Sequence, residues 1–300
     1  MSVNIDTVLV QKFRAELQTL AAQKKSRLRD AVIVDPNVVG TSTTFDQIGH
    51  VEAQQNTTRN GDTPITDVPF ARRLIHIKDW HVHELIDRKD ERKMLAGPVP
   101  KVAEVLNAAM NRAMDRDILE SALGTAYTGV AGATTVTFPA AQQIAVNNWD
   151  HGAGSGNSGL TISKLISAKM ILDGNEVDGD DAMGERYIAV TARQVANLLA
   201  TTEATSTDYA EVKALVRGEI DSFMGFKFIR TQLVPLDGSS YRRVVAWQKA
   251  GIFIGMNEDV TGDIGPRRDK NNSTQASCFA SWGAARVEEA RVVEIKCSEA

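Results

Sequence analysis

Cysteine is nearly absent. Cys278 and Cys297 are the only two in 300 residues, and neither belongs to a CxxC pair. Cysteine therefore supplies neither a zinc site nor a disulfide framework, and its scarcity fits a reducing cytoplasm. Long apolar runs are missing too: nowhere do about 18 apolar residues follow one another. The opening MSVNIDTVLV has no basic segment leading into an apolar stretch and a small-residue cleavage site, so the chain is expected to be neither exported nor membrane-spanning. Neither sign of charge dominates. A formal net charge of -4 and a pI near 5.8 argue against binding nucleic acid over the whole surface, while leaving room for a local basic patch. Lys24, Lys25, Arg27 and Arg29 form one such patch, which also reads as an ordinary solvated segment.

Catalytic signatures are the next absence. No G-x-x-x-x-G-K-[ST], H-E-x-x-H or G-x-S-x-G occurs, and the acidic run Glu176 to Asp181 lacks the spacing of a calcium loop. Residues 154–159, GSGNSG, satisfy G-x-G-x-x-G ahead of a helix. The segment before them, Asn147 to His151, is polar, whereas a dinucleotide site needs a hydrophobic strand there. The loop reads as a flexible connection, with a phosphate cradle as the alternative.

What is present is enough apolar residue, 43% against 24% charged, for a substantial core. Asp6 is placed to cap a helix with Val10, Phe13, Leu17 and Leu20 on one face. Residues 34–67 are rich in Thr, Asn, Gln, Asp and Gly and are expected to form an extended arm or functional loop. Val102, Val105, Leu106, Ala109, Met110, Ala113, Met114 and Ile118 then repeat at helical spacing, between Pro98 and Pro100 at the start and Gly124 at the end. That predicts a helix of about 33 Å. TTVTF reads as a strand, 161–173 as a helix ended by Gly174, RYIAVT as a buried strand, and Thr191 as the cap of a helix with Val195, Leu198 and Leu199. A short helix near Tyr209 to Val216, a strand at Gly225 to Thr231, two strand-like segments in VVAWQKAGIFIGM and a closing strand pair in FASWGAARVEEARVVEIK complete an α+β chain without repeats.

The segment IHIKDWHVHE, residues 75–84, holds three of the five histidines. As one strand it places Ile75, Ile77, Asp79, His81, His83 and Leu85 on one face and Leu74, His76, Lys78, Trp80, Val82 and Glu84 on the other. Asp79, His81 and His83 then offer a metal set for a metal-dependent enzyme. Both faces mix apolar with ionisable side chains, which instead suggests a half-buried ribbon needing other chains for its order.

In its order of elements the sequence resembles the major capsid proteins of tailed bacteriophages. The resemblance lies in the arm, the extended loop ending near Met94, the "spine" helix PVPKVAEVLNAAMNRAMDRDILESALG, then GLTISKLISAKMILDGNEV, RYIAVTARQVANLLA, VRGEIDSFMGFKFIRTQLVP and SCFASWGAARVEEARVVEIK. Phe228 stands where Val or Ile is more usual. The resemblance implies a tailed-phage major capsid fold: arm 1–50, extended loop 51–97, peripheral domain with the spine helix 98–150, a mainly axial domain 151–262, and peripheral closing strands 263–300.

It further implies a non-enzymatic structural subunit, without cofactor or metal, that forms hexamers and pentamers of an icosahedral shell around double-stranded DNA. The shell would form in the host bacterial cytoplasm with a separate scaffolding protein, a portal and decoration proteins, and without membrane contact. An encapsulin-like compartment is the alternative within this class. The intersubunit contacts would fall on Arg72, Arg73, Lys78, Trp80, His81, His83, Asp87 and Arg88, with Lys24, Lys25, Arg27 and Arg29 facing the DNA. Some relatives cross-link through a loop lysine aided by a glutamate near the last strands. Here Gly283, Ala284 and Ala285 precede Arg286 at that place, so Lys78 is given no covalent role.

Overall fold

The computed structural model describes residues 21–55, 57, 59, 61, 65–87, 99–148, 156–177, 184–200 and 222–299. The helices expected around Asp6 to Leu20 and Tyr209 to Val216, and residues 152–155 of the glycine-rich loop, lie outside them. Among the described residues are fourteen strands and three α-helices.

The apolar repeat after Pro98 forms α1, Val99–Leu123, 25 residues or about 37 Å long. Leu106, Met110, Met114, Ile118 and Ala122 make its buried stripe, and the helix packs chiefly on β13, Ser273–Arg286. That strand belongs to a sheet ordered β1-β12-β13-β4, where β1 is Ile33–Asp35, β4 is Lys78–Ile86 and β12 is Ile252–Arg267. A second sheet is ordered β2-β3-β5-β6: β2 is Ser42–Ile48, β3 Phe70–His76, β5 Ala126–Thr128 and β6 Thr134–Val136.

The third sheet has the order β7-β14-β11-β8-β10-β9. Its strands are β7, Gln143–Ile144, β8, Arg186–Val190, β9, Ser222–Phe223, β10, Phe226–Arg230, β11, Arg242–Gln248, and β14, Val292–Cys297. α2, Ile162–Gly174, starts where Thr161 accepts the Lys164 amide, and α3, Ala192–Ala200, follows Thr191. There Gln194 Oε1 accepts the Thr191 amide at 2.8 Å while Thr191 Oγ1 accepts the Gln194 amide at 3.4 Å, a reciprocal cap. One large core joins α1, α2 and the strands of the first and third sheets, with Trp247 and Trp282 fully buried in it.

Three expectations change. Residues 34–67 are not all loop, because Ser42–Ile48 pairs along its whole length with β3. Its sheltered positions, Thr43, Phe45 and Gln47, are mostly polar and its exposed ones include the apolar Ile48, so the alternation is masked by composition. This hairpin also joins residues on both sides of position 50. The closing segments do not pair with each other: β13 lies between β12 and β4, while β14 inserts between β11 and β7.

The third change concerns IHIKDWHVHE, which is two strands rather than one. At Ile77, whose amide donates to Thr41 O at 2.9 Å, the chain leaves the second sheet for the first. Gly283 permits the crossing, since a Cβ there would lie 2.1 Å from the His76 carbonyl oxygen. The alternation therefore does not run through, and Ile75 is buried while His81, His83 and Leu85 are exposed.

Candidate intersubunit surface

After Ile77, the sequence KDWHVHELI alternates as a strand with one face on a core. Trp80 and Val82 turn inward, and the Trp80 ring stacks on Trp282 with centroids 5.3 Å apart and planes 7° from parallel. The outward face holds His81 and His83, stacked at 4.9 Å, and His83 meets Phe279 of the neighbouring strand at 5.3 Å. Asp79 accepts a hydrogen bond from Ser281 Oγ across the strand pair. The three candidate metal ligands are thus divided between a ring stack and a hydroxyl partner, and among the described residues no three His, Cys, Asp or Glu side chains converge as ligands.

The charged candidates are mostly engaged within their own chain. Arg72 forms a two-pronged pair with Asp46, directly opposite on β2, at 2.6 and 3.0 Å. This contact holds the exposed Asp46 carboxyl below its ordinary range. Arg73 is buried, donating to Val287 O at 2.8 Å and to Glu289 at 2.5 Å. Lys78 reaches Asp117 of α1 at 2.8 Å. Asp87, just after β4, is exposed, and Arg88 lies outside the described residues.

In the basic segment, Lys24 pairs with Glu104 at 2.5 Å, Arg27 donates to Arg230 O, and Arg29 grips Asp259 at 2.8 and 3.0 Å. Lys25 is exposed. This segment is fastened by Asp115, a fully buried carboxylate on α1. Asp115 accepts from Ser26 Oγ at 2.6 Å, from the Arg27 and Leu28 amides at 3.0 and 3.3 Å, and from Gln23. The arm's free amides and a buried negative charge satisfy each other.

Two further buried cations each gather several backbone carbonyls. Arg286 donates to Ala122 O at 2.9 Å and Gly124 O at 2.8 Å, capping the C-terminus of α1 where helix carbonyls lack partners. Its guanidinium also lies 5.0 Å over the Phe138 ring. Burial pulls its pKa down while Glu289 opposes that shift. Lys164 has four carbonyl oxygens, of Val146, Ser158, Gly159 and Lys296, at 2.9 to 3.0 Å. Burial lowers its pKa as well, and raises that of the neighbouring Cys297 thiol to about 12.

The surface most out of keeping with an isolated subunit is the end of the β2–β3 hairpin. Ile48 and Phe70, paired across the strands, are 70% and 75% exposed, and Ile65 beyond them is 93% exposed. Val51 and Val68 add to this apolar tip. The sequence signal was available: these are bulky apolar residues set singly in a polar stretch, where a loop needs none. None of Ile48, Ile65 and Phe70 is among the contact candidates read from the sequence, Arg72, Arg73, Lys78, Trp80, His81, His83, Asp87 and Arg88.

No curated protein sequence matches the chain. Its structure is similar to solved capsids over nearly the full length. With the capsid structure of the cyanophage P-SCSP1u it has a TM-score of 0.75 at 14% identity, covering 100% of this chain and 96% of that one. With the capsid of Ralstonia phage GP4 the TM-score is 0.72 at 12% identity, covering 97% and 95%. With the cyanophage Pam1 capsid it is 0.69 at 12% identity, covering 98% and 97%. The sequence model of the family described as "Phage capsid protein" matches residues 5–299, and the chain, with its spine helix, hairpin and interlocked sheets, belongs to that family.

Proposed function

We propose that this chain is the major shell subunit of a phage head, arranged in hexamers and pentamers by contacts that begin at the β2–β3 hairpin. The observation that carries the proposal is the exposed apolar group of Ile48 and Phe70 at the last pair of the hairpin strands, with Ile65 beyond them in the chain. Apolar groups left in water at the end of the hairpin favour burial against another copy. The role is structural rather than enzymatic, in keeping with the family.

Several finer features belong to the same proposal. Peripheral regions 98–150 and 263–300 would flank an axial region within 151–262, and the outward face of β4 would meet neighbouring copies through His81 and His83. Lys24, Lys25 and Arg27 would face packaged double-stranded DNA, supported by their exposure beside the spine helix. Assembly would take place in the host bacterial cytoplasm with a separate scaffolding protein, and a portal and decoration proteins would join the shell. Electron microscopy and sedimentation of the chain, alone and co-expressed with candidate scaffolds, test the reading. Closed shells or capsomer rings are expected, whereas monomers under every condition overturn it.

A further inference from the structure

A cavity of about 320 Å³ opens where the hairpin root, α1 and β13 meet, lined among others by His76, Lys78, Asp117, Glu120, Tyr127 and Ala284. Two of its lining residues are carboxylates one helical turn apart on α1, a spacing that puts them on the same face. Asp117 is buried; its Oδ1 takes the Lys78 ammonium, and its Oδ2 has no hydrogen-bond partner. Glu120 is exposed and has no partner among the described residues. The buried Asp117 Oδ2 is left without a partner, which is unfavourable unless something completes its set, and the exposed Glu120 adds a second negative charge at the cavity mouth. Tyr127, edge-on to His76 at 5.2 Å, supplies an aromatic wall.

We infer that this cavity receives a basic side chain from a neighbouring copy of the chain. An arginine fits best, because a planar guanidinium can bridge two carboxylates and stack on a tyrosine ring at once. The apolar lining of Leu74 and Ala284 accepts its aliphatic stem. The inference rests on the self-assembly reading and names a receiving surface on the spine helix that is separate from the hairpin tip and from the His81 face. Lys78, 57% exposed, sits at this site as a partner of Asp117 within its own chain.

The test compares shell yield by sedimentation for the wild-type chain, Glu120→Gln and Glu120→Lys, with circular dichroism melts of each. Cryo-electron microscopy of wild-type shells locates the cavity's occupant. Expected are folded variants, a shell yield about tenfold lower for Glu120→Lys because like charges then meet, a smaller loss for Glu120→Gln, and a neighbour's basic side chain in the cavity. Wild-type yield from Glu120→Lys, an empty cavity, or a divalent ion whose removal by EDTA dissolves the shells would each overturn it. If Glu120→Lys does not fold, the nearly isosteric Glu120→Gln and the wild-type map still decide. Wild-type chain that never forms shells would overturn the shell reading, and this inference with it.

Discussion

At the scale of single residues, three buried charges hold this subunit together, and each sits where the chain would otherwise leave backbone groups unpaired. Asp115 gathers the arm's amides, Arg286 gathers the carbonyls ending α1, and Lys164 gathers carbonyls from three segments. Asp115→Ala should lower unfolding free energy by about 2–4 kcal/mol, since it strands amides that were bonded to a charge; chemical denaturation measures it. Lys164 and Cys297 also give a pH signature. With its pKa raised to about 12 from 9.0, the Cys297 thiol contributes stability that is complete below about pH 9 and lost as pH rises towards 12. Lys164 acts oppositely, because the folded chain releases its proton before the unfolded one, so its contribution rises with pH in its own window. Cys297→Ala should therefore flatten the loss of stability between pH 9 and 12 by an amount on the order of a few kcal/mol. Some slope remains from Tyr187, also raised to about 12. Unfolding free energies of both proteins across that range settle it. The caps at Thr161 and Thr191 were legible from sequence because capping is local. Asp115 and Arg286 were not, because their partners lie 87 to 92 and 162 to 164 positions away.

At the scale of elements, the β2–β3 hairpin is held closely at its root. Gly255 and Gly283, opposite each other on β12 and β13, receive it closely: added Cβ atoms would lie 2.9 Å from the Thr43 methyl and 2.1 Å from the His76 carbonyl oxygen. Gly283→Ala cannot be absorbed by a flexible side chain, because its obstacle is backbone. It should cost about 3 kcal/mol or displace the hairpin, which thermal melts and the angle of the hairpin in assembled shells would reveal. Replacing Ile48 and Phe70 by Ser touches no core contact, so subunit stability should change by less than about 0.5 kcal/mol. Shell formation should nevertheless fall sharply, as sedimentation can show. The long helix was legible because its apolar repeat is dense. The break at Ile77 was hidden, since strand alternation within IHIKDWHVHE looks continuous and the cause, a missing side chain at position 283, lies elsewhere in the sequence.

At the scale of the whole molecule, the family and its fold were legible through the order of elements. Composition averages charge over 300 residues to a net value of -4, so the basic stretch beside α1 is legible only from its local sequence, and its pairings only from the fold. Changing Lys24, Lys25 and Arg27 to Gln should leave shells intact while lowering DNA retained per particle and weakening its salt dependence; absorbance ratios of purified particles at two salt concentrations test this. Arg29 is better left in place, since its pairing with Asp259 holds the arm to β12.

The pairing of β1 with β12 and the insertion of β14 between β7 and β11 have a kinetic consequence. The first and third sheets both need strands from distant parts of the chain, so loop closure must precede most of the stabilising contacts and folding should be slow for the molecule's size. During that interval the sticky hairpin end exists without a finished body behind it. A cell making many copies at once therefore faces a race between maturation of each monomer and premature clumping, and slower synthesis or lower temperature should raise the yield of competent subunits.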